Sequence, residues 1–237
     1  MVAVHLNKQI DDIFSGYSKL ETPEERMEHK VEGSLFFEGY EELMKQYEKL
    51  LTRSPWDYVL NACSRITAIL TPQQINSFLQ ATMIYENHNN FSANTGFLIT
   101  RLIQNSHDAG NNKFTLNTGG LKEIDCISYG LKGKENKLLE IIVAGNARHH
   151  CGNGAENIQE LYISGDIGYC CAWEAKNIKE IYIVGNSGLY CGYDAENSTF
   201  KTQNKQTLQL LKKNVLQGKN NRIYFIHPDK QEEEIIW

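Results

Sequence analysis

Written in rows that begin at Gly145, Gly165 and Gly185, the chain repeats itself every 20 residues: GNARHHCGNGAENIQELYIS, GDIGYCCAWEAKNIKEIYIV and GNSGLYCGYDAENSTFKTQN. The leading glycines are followed by Asn146, Asp166 and Asn186, while Cys151/171/191, Ala155/175/195 and Asn157/177/197 recur without exception. A fixed period of this length belongs to chains whose units bury their apolar side only by stacking on one another. Within each unit a short run alternates with period two, as in Ile141-Ile142-Val143, Leu161-Tyr162-Ile163 and Ile181-Tyr182-Ile183, which reads as a strand. Glycine followed by Asn or Asp supplies the positive φ of a corner, and alanine at a fixed column fits a narrow interior. The expectation is a right-handed parallel β-helix, or solenoid, of about 20 residues per coil from about Phe114 to Lys201. A shorter first coil is read in LKEIDCISYG by aligning Leu121, Glu123, Ile124 and Cys126 with Ile178, Glu180, Ile181 and Ile183; Phe114 and Leu116 open the strand before it.

The pattern G-N/D-x-G-x-x-x-G-x-x-A, complete from Gly185, Asn186 and Gly188 through Gly192 to Ala195, resembles the GXGXG repeat domain. That domain forms the C-terminal part of the glutamate synthase α subunit and also occurs as one of the subunits of formylmethanofuran dehydrogenase. The resemblance covers roughly residues 114 to 200 and leaves out the front of the chain. It departs from the family pattern at Arg148, at Ala172, and at Asn157, Asn177 and Asn197, where glycine is the family's residue. It implies a right-handed coil with a structural or subunit-docking role and no catalytic residues of its own. The glutaminase partner of glutamate synthase uses an N-terminal cysteine, whereas here Met1 is followed by Val2, so that activity is not implied.

Ahead of the repeat, Thr22-Pro23-Glu24-Glu25, Ser54-Pro55-Trp56-Asp57 and Thr71-Pro72-Gln73-Gln74 each announce a helix N-terminus. The hydroxyl accepts from free backbone N–H groups, proline loses nothing at the first helical position, and the acidic or amide residue closes a capping box. Apolar residues follow at helical spacing: Leu35, Phe36, Leu43, Met44, Tyr47 and Leu50; Trp56 to Leu70; and Ile75, Phe78, Leu79 and Met83. Further helices are expected over Asn94 to Ser106 and near Val4 to Tyr17. After the repeat, Thr207 to Leu216 reads as an amphipathic helix closed by Gly218, and Arg222 to Ile226 as a strand, together capping the open end. The expected class is therefore α+β, with a helical region over residues 1–110, the β-helix over 111–200, and a cap with the tail DKQEEEIIW over 201–237.

Function is constrained mostly by exclusion. A formal charge of −5 and the lack of a long Lys/Arg run give nothing to attract a phosphate backbone, so no nucleic acid is expected. The start lacks a signal-peptide pattern and nowhere do 18 apolar residues run together, so a cytoplasmic protein that does not enter the membrane is expected. Six cysteines in 237 residues, two of them adjacent, read as reduced thiols, with the Cys151/171/191 column stacked inward. His149, His150 and Cys170 are metal-ligand types, but their spacing is not that of a closed zinc site, so neither metal nor cofactor is expected. Glu123, Glu140, Glu160 and Glu180 fall at one place before each strand and read as a solvated carboxylate edge eased by Lys122 and Lys179, the alternative being a cation site. Tyr169, Trp173, Leu189, Tyr190 and Tyr193 flank the cysteine column and are expected to form an outward aromatic strip, which is either covered by the N-terminal helices or left bare to dock a protein partner. The expected function is a non-catalytic scaffold; the alternative is an enzyme or metal-binding protein using the His/Cys surface.

Overall fold

A computed structural model describes residues 37–54 and 56–227, together with the backbone of 233–235. The expected helix at Val4 to Tyr17, the Thr22-Pro23 cap, Leu35 and Phe36, Pro55 of the second cap, and the final Ile236-Trp237 lie outside the described residues. Helices α1 (Tyr40–Leu51), α2 (Trp56–Ser64), α3 (Pro72–Ala81) and α4 (Phe91–Asp108) precede the sheet. At Thr71 the capping box is complete: its Oγ1 accepts from the Gln74 N–H at 3.2 Å, and Gln74 Oε1 accepts from the Thr71 N–H at 2.8 Å. One expectation needs correcting, because α2 stops at Ser64 rather than running on to Leu70. The carbonyls of Ile66, Ala68 and Leu70 instead take side-chain donors from α4, namely Asn105 to Ile66 and Ala68 and Ser106 to Leu70. Ile66 and Leu70 still bury their side chains, so the apolar spacing marks the core correctly although the backbone there is not helical.

Six strands follow in sequential order, all parallel: β1 (Lys113–Asn117), β2 (Leu139–Ala144), β3 (Ile158–Ile163), β4 (Ile181–Ile183), β5 (Thr199–Thr202) and β6 (Arg222–Ile226). Helix α5 (Lys205–Asn214) lies between β5 and β6, and β7 (Glu233–Ile235) adds antiparallel to β6. Phe114, Ile141, Leu161, Ile181, Phe200 and Ile223 are in register across the six strands, and all are fully buried. Such side chains each contribute roughly 2 kcal/mol by area, as an upper estimate. One continuous apolar cluster runs from Leu43 of α1 to Ile223 of β6, so helices and sheet share a core.

The α+β class with a parallel β-helix is overturned by this arrangement. The regular hydrogen-bond ladders form a single open sheet, with five α-helices among the described residues, which is an α/β arrangement. A β-helix closes on itself with further sheets. Here, between β1 and β5, the stretches between strands are turns, joined from one row to the next by individual backbone hydrogen bonds and isolated bridges such as Ala147 to Ile167 and Glu156 to Lys176, with no second extended ladder. The 20-residue period therefore sets the distance from strand to strand, and does not create extra sheets. The alignment of LKEIDCISYG also fails: Ile124 and Cys126 lie in a turn, and the strand of that row is β1. Among the described residues, no helix is long and apolar enough to cross a membrane.

An edge strand carries unpaired N–H and C=O groups. On β1 they are met by α3: Asn76 Oδ1 accepts from the Asn117 N–H at 2.8 Å and the Gln80 amide donates to the Asn117 carbonyl. Helix α4 treats the turn after β1 in the same way. Ser92 accepts from the Asp125 N–H and donates to the Glu123 carbonyl, Thr100 accepts from the Ser128 N–H and donates to the Cys126 carbonyl, and Gln104 does both at Lys132. These residues are spaced by four or eight, so they share one face of the helix. Gly96, within that stripe, lies so close that a Cβ would stand 1.7 Å from the Asp125 carbonyl oxygen. Beyond the other end of the rows, Asn221 accepts from the Ser198 N–H and donates to the Ala195 carbonyl.

Candidate docking face

The turns of successive rows lie over one another through backbone bonds. Cys126 donates to the His149 carbonyl at 2.8 Å, His150 to Tyr169 at 2.8 Å and Cys170 to Leu189 at 2.9 Å. Residues 126, 150, 170 and 190 thus form one column, and all four are left-handed, with φ of 61°, 60°, 58° and 61°. The same holds two residues on for Ser128, Gly152, Ala172 and Gly192, and two further on for Gly130, Gly154, Glu174 and Asp194. Left-handed backbone costs a non-glycine residue about 1–2 kcal/mol, which the row-to-row hydrogen bonds offset. Asn157, Asn177 and Asn197, where the GXGXG pattern has glycine, are left-handed as well, a conformation Asn tolerates. Their amides link at 3.2 and 3.1 Å.

This backbone decides what faces in and what faces out. Cys151, Cys171 and Cys191 are fully buried and free, and the Cys151 thiol is pushed well above its usual range by its hydrogen bond with Cys171 and by burial. Cys170, however, does not point outward as strict alternation predicts. It is 7% exposed, and burial raises its thiol too. Period-two alternation assumes extended residues, whereas Cys170 and Ala172 are left-handed on either side of Cys171.

The remaining candidates gather on one face. Tyr169, Leu189 and Tyr190 are 52%, 53% and 51% exposed, and Trp173 and Tyr193 are half-buried beside them. Trp173 lies near-parallel to Tyr190 with centroids 6.2 Å apart, and Tyr193 stands edge-on to both at 6.1 and 5.9 Å. His149 stacks on Tyr169 at 4.8 Å, and its Nδ1 accepts from the Tyr169 N–H at 3.0 Å, so the neutral ring carries its proton on Nε2. His150 meets the edge of Trp56 from α2 at 5.1 Å, and burial lowers its pKa. Trp56 also touches Phe97, and Phe97 touches Tyr129, so α2 and α4 cover the first row of this face and leave the later rows bare. Cover by the N-terminal helices was one of the two expectations for this strip, but the sequence does not single out Trp56 as the covering residue, nor Glu174 and Asp194 as a rim, although the column Gly154, Glu174, Asp194 is visible in the aligned rows.

His149, His150 and Cys170 do not converge: among the described residues, no three His, Cys, Asp or Glu side chains are grouped to hold a metal ion. Glu140, Glu160 and Glu180 do stack, between ion pairs from Lys113 to Glu140 at 3.3 Å and Lys201 to Glu180 at 3.0 Å. Burial, then Glu180 and Glu140, raise the Glu160 carboxyl. Glu123 stands outside this ladder and pairs with Arg148 at 3.4 Å. A concavity of about 500 Å³ at the start of α1 is lined by Phe37, Gly39, Tyr40, Glu41, Glu42 and Lys45, which supply no nucleophile with a base beside it.

Fold and site together define an α/β protein that carries an exposed aromatic face on its interstrand turns. No known protein family, no curated protein and no solved structure matches the chain.

Proposed function

We propose that this protein is a non-catalytic docking protein that presents the face of Tyr169, Trp173, Leu189, Tyr190 and Tyr193 to a protein partner. The observation that carries this is the continuity of the patch: three large side chains more than half exposed, in successive rows, beside two half-buried rings. Exposed contiguous aromatics of this kind are what interface hot spots are made of. The competing enzyme or metal reading has less support, because Cys170 is buried and the histidines are engaged with Tyr169 and Trp56. Six free, buried thiols and a net charge of −5 accord with a reducing, cytoplasmic setting and a partner other than nucleic acid. Kinship with the GXGXG repeats is part of the proposal. It is supported by left-handed backbone at Gly152 and Gly192 and by the close approach at Gly168 and Gly188.

The test is capture from the native cell by the tagged chain and by a Tyr169→Ser/Tyr190→Ser variant. Both side chains are half exposed and give up only ring contacts at the surface, so stability should fall by no more than about 2 kcal/mol and the fold persist, while recovery of the specific partner drops at least about tenfold. Undiminished capture by a folded variant would remove this face from the proposal.

A further inference from the structure

The aromatic face has a charged border of one sign. Glu174 and Asp194 occupy one column, next in sequence to Trp173 and Tyr193, and both are exposed. Two residues on, the column Glu156, Lys176, Glu196 is internally neutralised: Lys132 reaches Glu156 at 3.4 Å and Lys176 reaches Glu196 at 4.0 Å. Among the described residues, neither Glu174 nor Asp194 has such a partner. On the opposite flank, Arg148 is drawn away by Glu123 at 3.4 Å and Asp125 at 3.9 Å, so it does not offset that border.

We infer that the partner segment received by this face is cationic: an arginine or lysine side chain lies over the rings of Trp173, Tyr190 and Tyr193 and is countered by Glu174 and Asp194. This rests on the docking reading and names the chemistry of its partner. Two near-parallel rings with a third edge-on present π-density to a cation, and the interaction strengthens where water is excluded. An uncompensated carboxylate pair at the rim adds attraction at long range and repels acidic segments. Arginine fits best, because its planar guanidinium stacks on a ring face while its edge donates to carboxylates.

The experiment uses the full chain and three short synthetic peptides of equal length carrying arginine, citrulline or glutamate at the same positions, with binding read by fluorescence anisotropy. The arginine peptide should bind, the citrulline peptide roughly tenfold more weakly, and the glutamate peptide not at all, with affinity falling as NaCl rises. A Glu174→Gln/Asp194→Asn variant should lose roughly tenfold toward the arginine peptide with an unchanged melting curve, whereas Glu41→Gln/Glu42→Gln should lose nothing. Equal binding of arginine and citrulline peptides, or no loss in the rim variant, overturns the inference. If the rim variant still captures the native partner while Tyr169→Ser/Tyr190→Ser does not, docking stands and the cationic assignment falls. If the parent captures no partner, the docking reading itself falls.

Discussion

The first and last rows of the repeat share a backbone and keep the same outer residues at Asn146/Asn186, Glu156/Glu196 and Asn157/Asn197, yet differ across the outer stretch that flanks the cysteine column. His150 and Tyr190 have φ of 60° and 61°, yet one is a half-buried imidazole against Trp56 and the other a phenol with half its surface free. Arg148, Asn153 and Gly154 in the first row stand where the last has Gly188, Tyr193 and Asp194. The difference tracks what lies on top: the first row is overlaid by α2 and by the turn after β1, the last by neither. The repeat thus fixes main chain and interior, while the exterior of each row answers to its own neighbours.

The strongest way to break that comparison is at the column of Arg148, Gly168 and Gly188. A Cβ on Gly188 would stand 2.7 Å from the Gly168 carbonyl carbon, so Gly188→Ala should cost about 3 kcal/mol in urea unfolding. Arg148→Gly, at the same column, removes an exposed ion pair to Glu123 and a long 3.9 Å contact to the mostly buried Asp125 and should cost about 1 kcal/mol, well below the loss at Gly188. Similar losses at the two positions would mean that the rows are not equivalent in backbone.

A smaller effect separates His150 from Tyr190 by pH. Burial holds the His150 pKa below its ordinary 6.5, so the unfolded chain binds the proton first. Its contribution is therefore complete above about pH 6.5 and is lost as pH falls toward the lower folded value. In paired denaturation series, His150→Gln should flatten the stability profile in that window, while Tyr190→Phe should leave it unaltered. A parent profile already flat there would put the imidazole in water.

The smallest effect expected is at Ala172, which is left-handed with φ 51° where Gly152 and Gly192 stand in the neighbouring rows. Ala172→Gly relieves about 1 kcal/mol of backbone strain and loses about 0.8 kcal/mol of methyl burial, so thermal melts should agree within about 0.5 kcal/mol. A loss beyond about 1 kcal/mol would mean that the strain is already relieved by packing.

Much of this was legible in the sequence: the strands at Ile141, Leu161 and Ile181, the buried cysteine column and the aromatic cluster came from the period of the aligned rows, and the helix from Thr71 came from its capping residues. What was not legible turns on conformations that side-chain pattern does not report. Left-handed residues at 170 and 172 turn Cys170 inward against the alternation expected beside Cys171. The ladders close only one sheet because the other parts of each row are turns that meet through individual hydrogen bonds and isolated bridges. The α2 boundary was misplaced because donors from α4, distant in sequence, take the carbonyls that a helix would have used. Trp56 over His150 is likewise a long-range contact that no local signal announces.

Helix α4 holds the row after β1 by its peptide groups: Ser92, Thr100 and Gln104 grip the N–H and C=O of residues 123 to 132 and none of their side chains. Polar contacts that read only main chain place few demands on the exposed residues beneath them, whereas the apolar side of the same helix does meet side chains, Phe97 standing edge-on to Tyr129 at 5.5 Å and sharing one core with Ile124, Ile127 and Leu131. The exposed residues of this row are therefore at liberty to drift from the pattern of the later rows, as Lys122, Glu123 and Lys132 show, while Ile124, Ile127 and Leu131 stay apolar and buried. The part of the repeat hardest to recognise is the row whose outer spelling the helix above it leaves unread, while its inner spelling is held by the core.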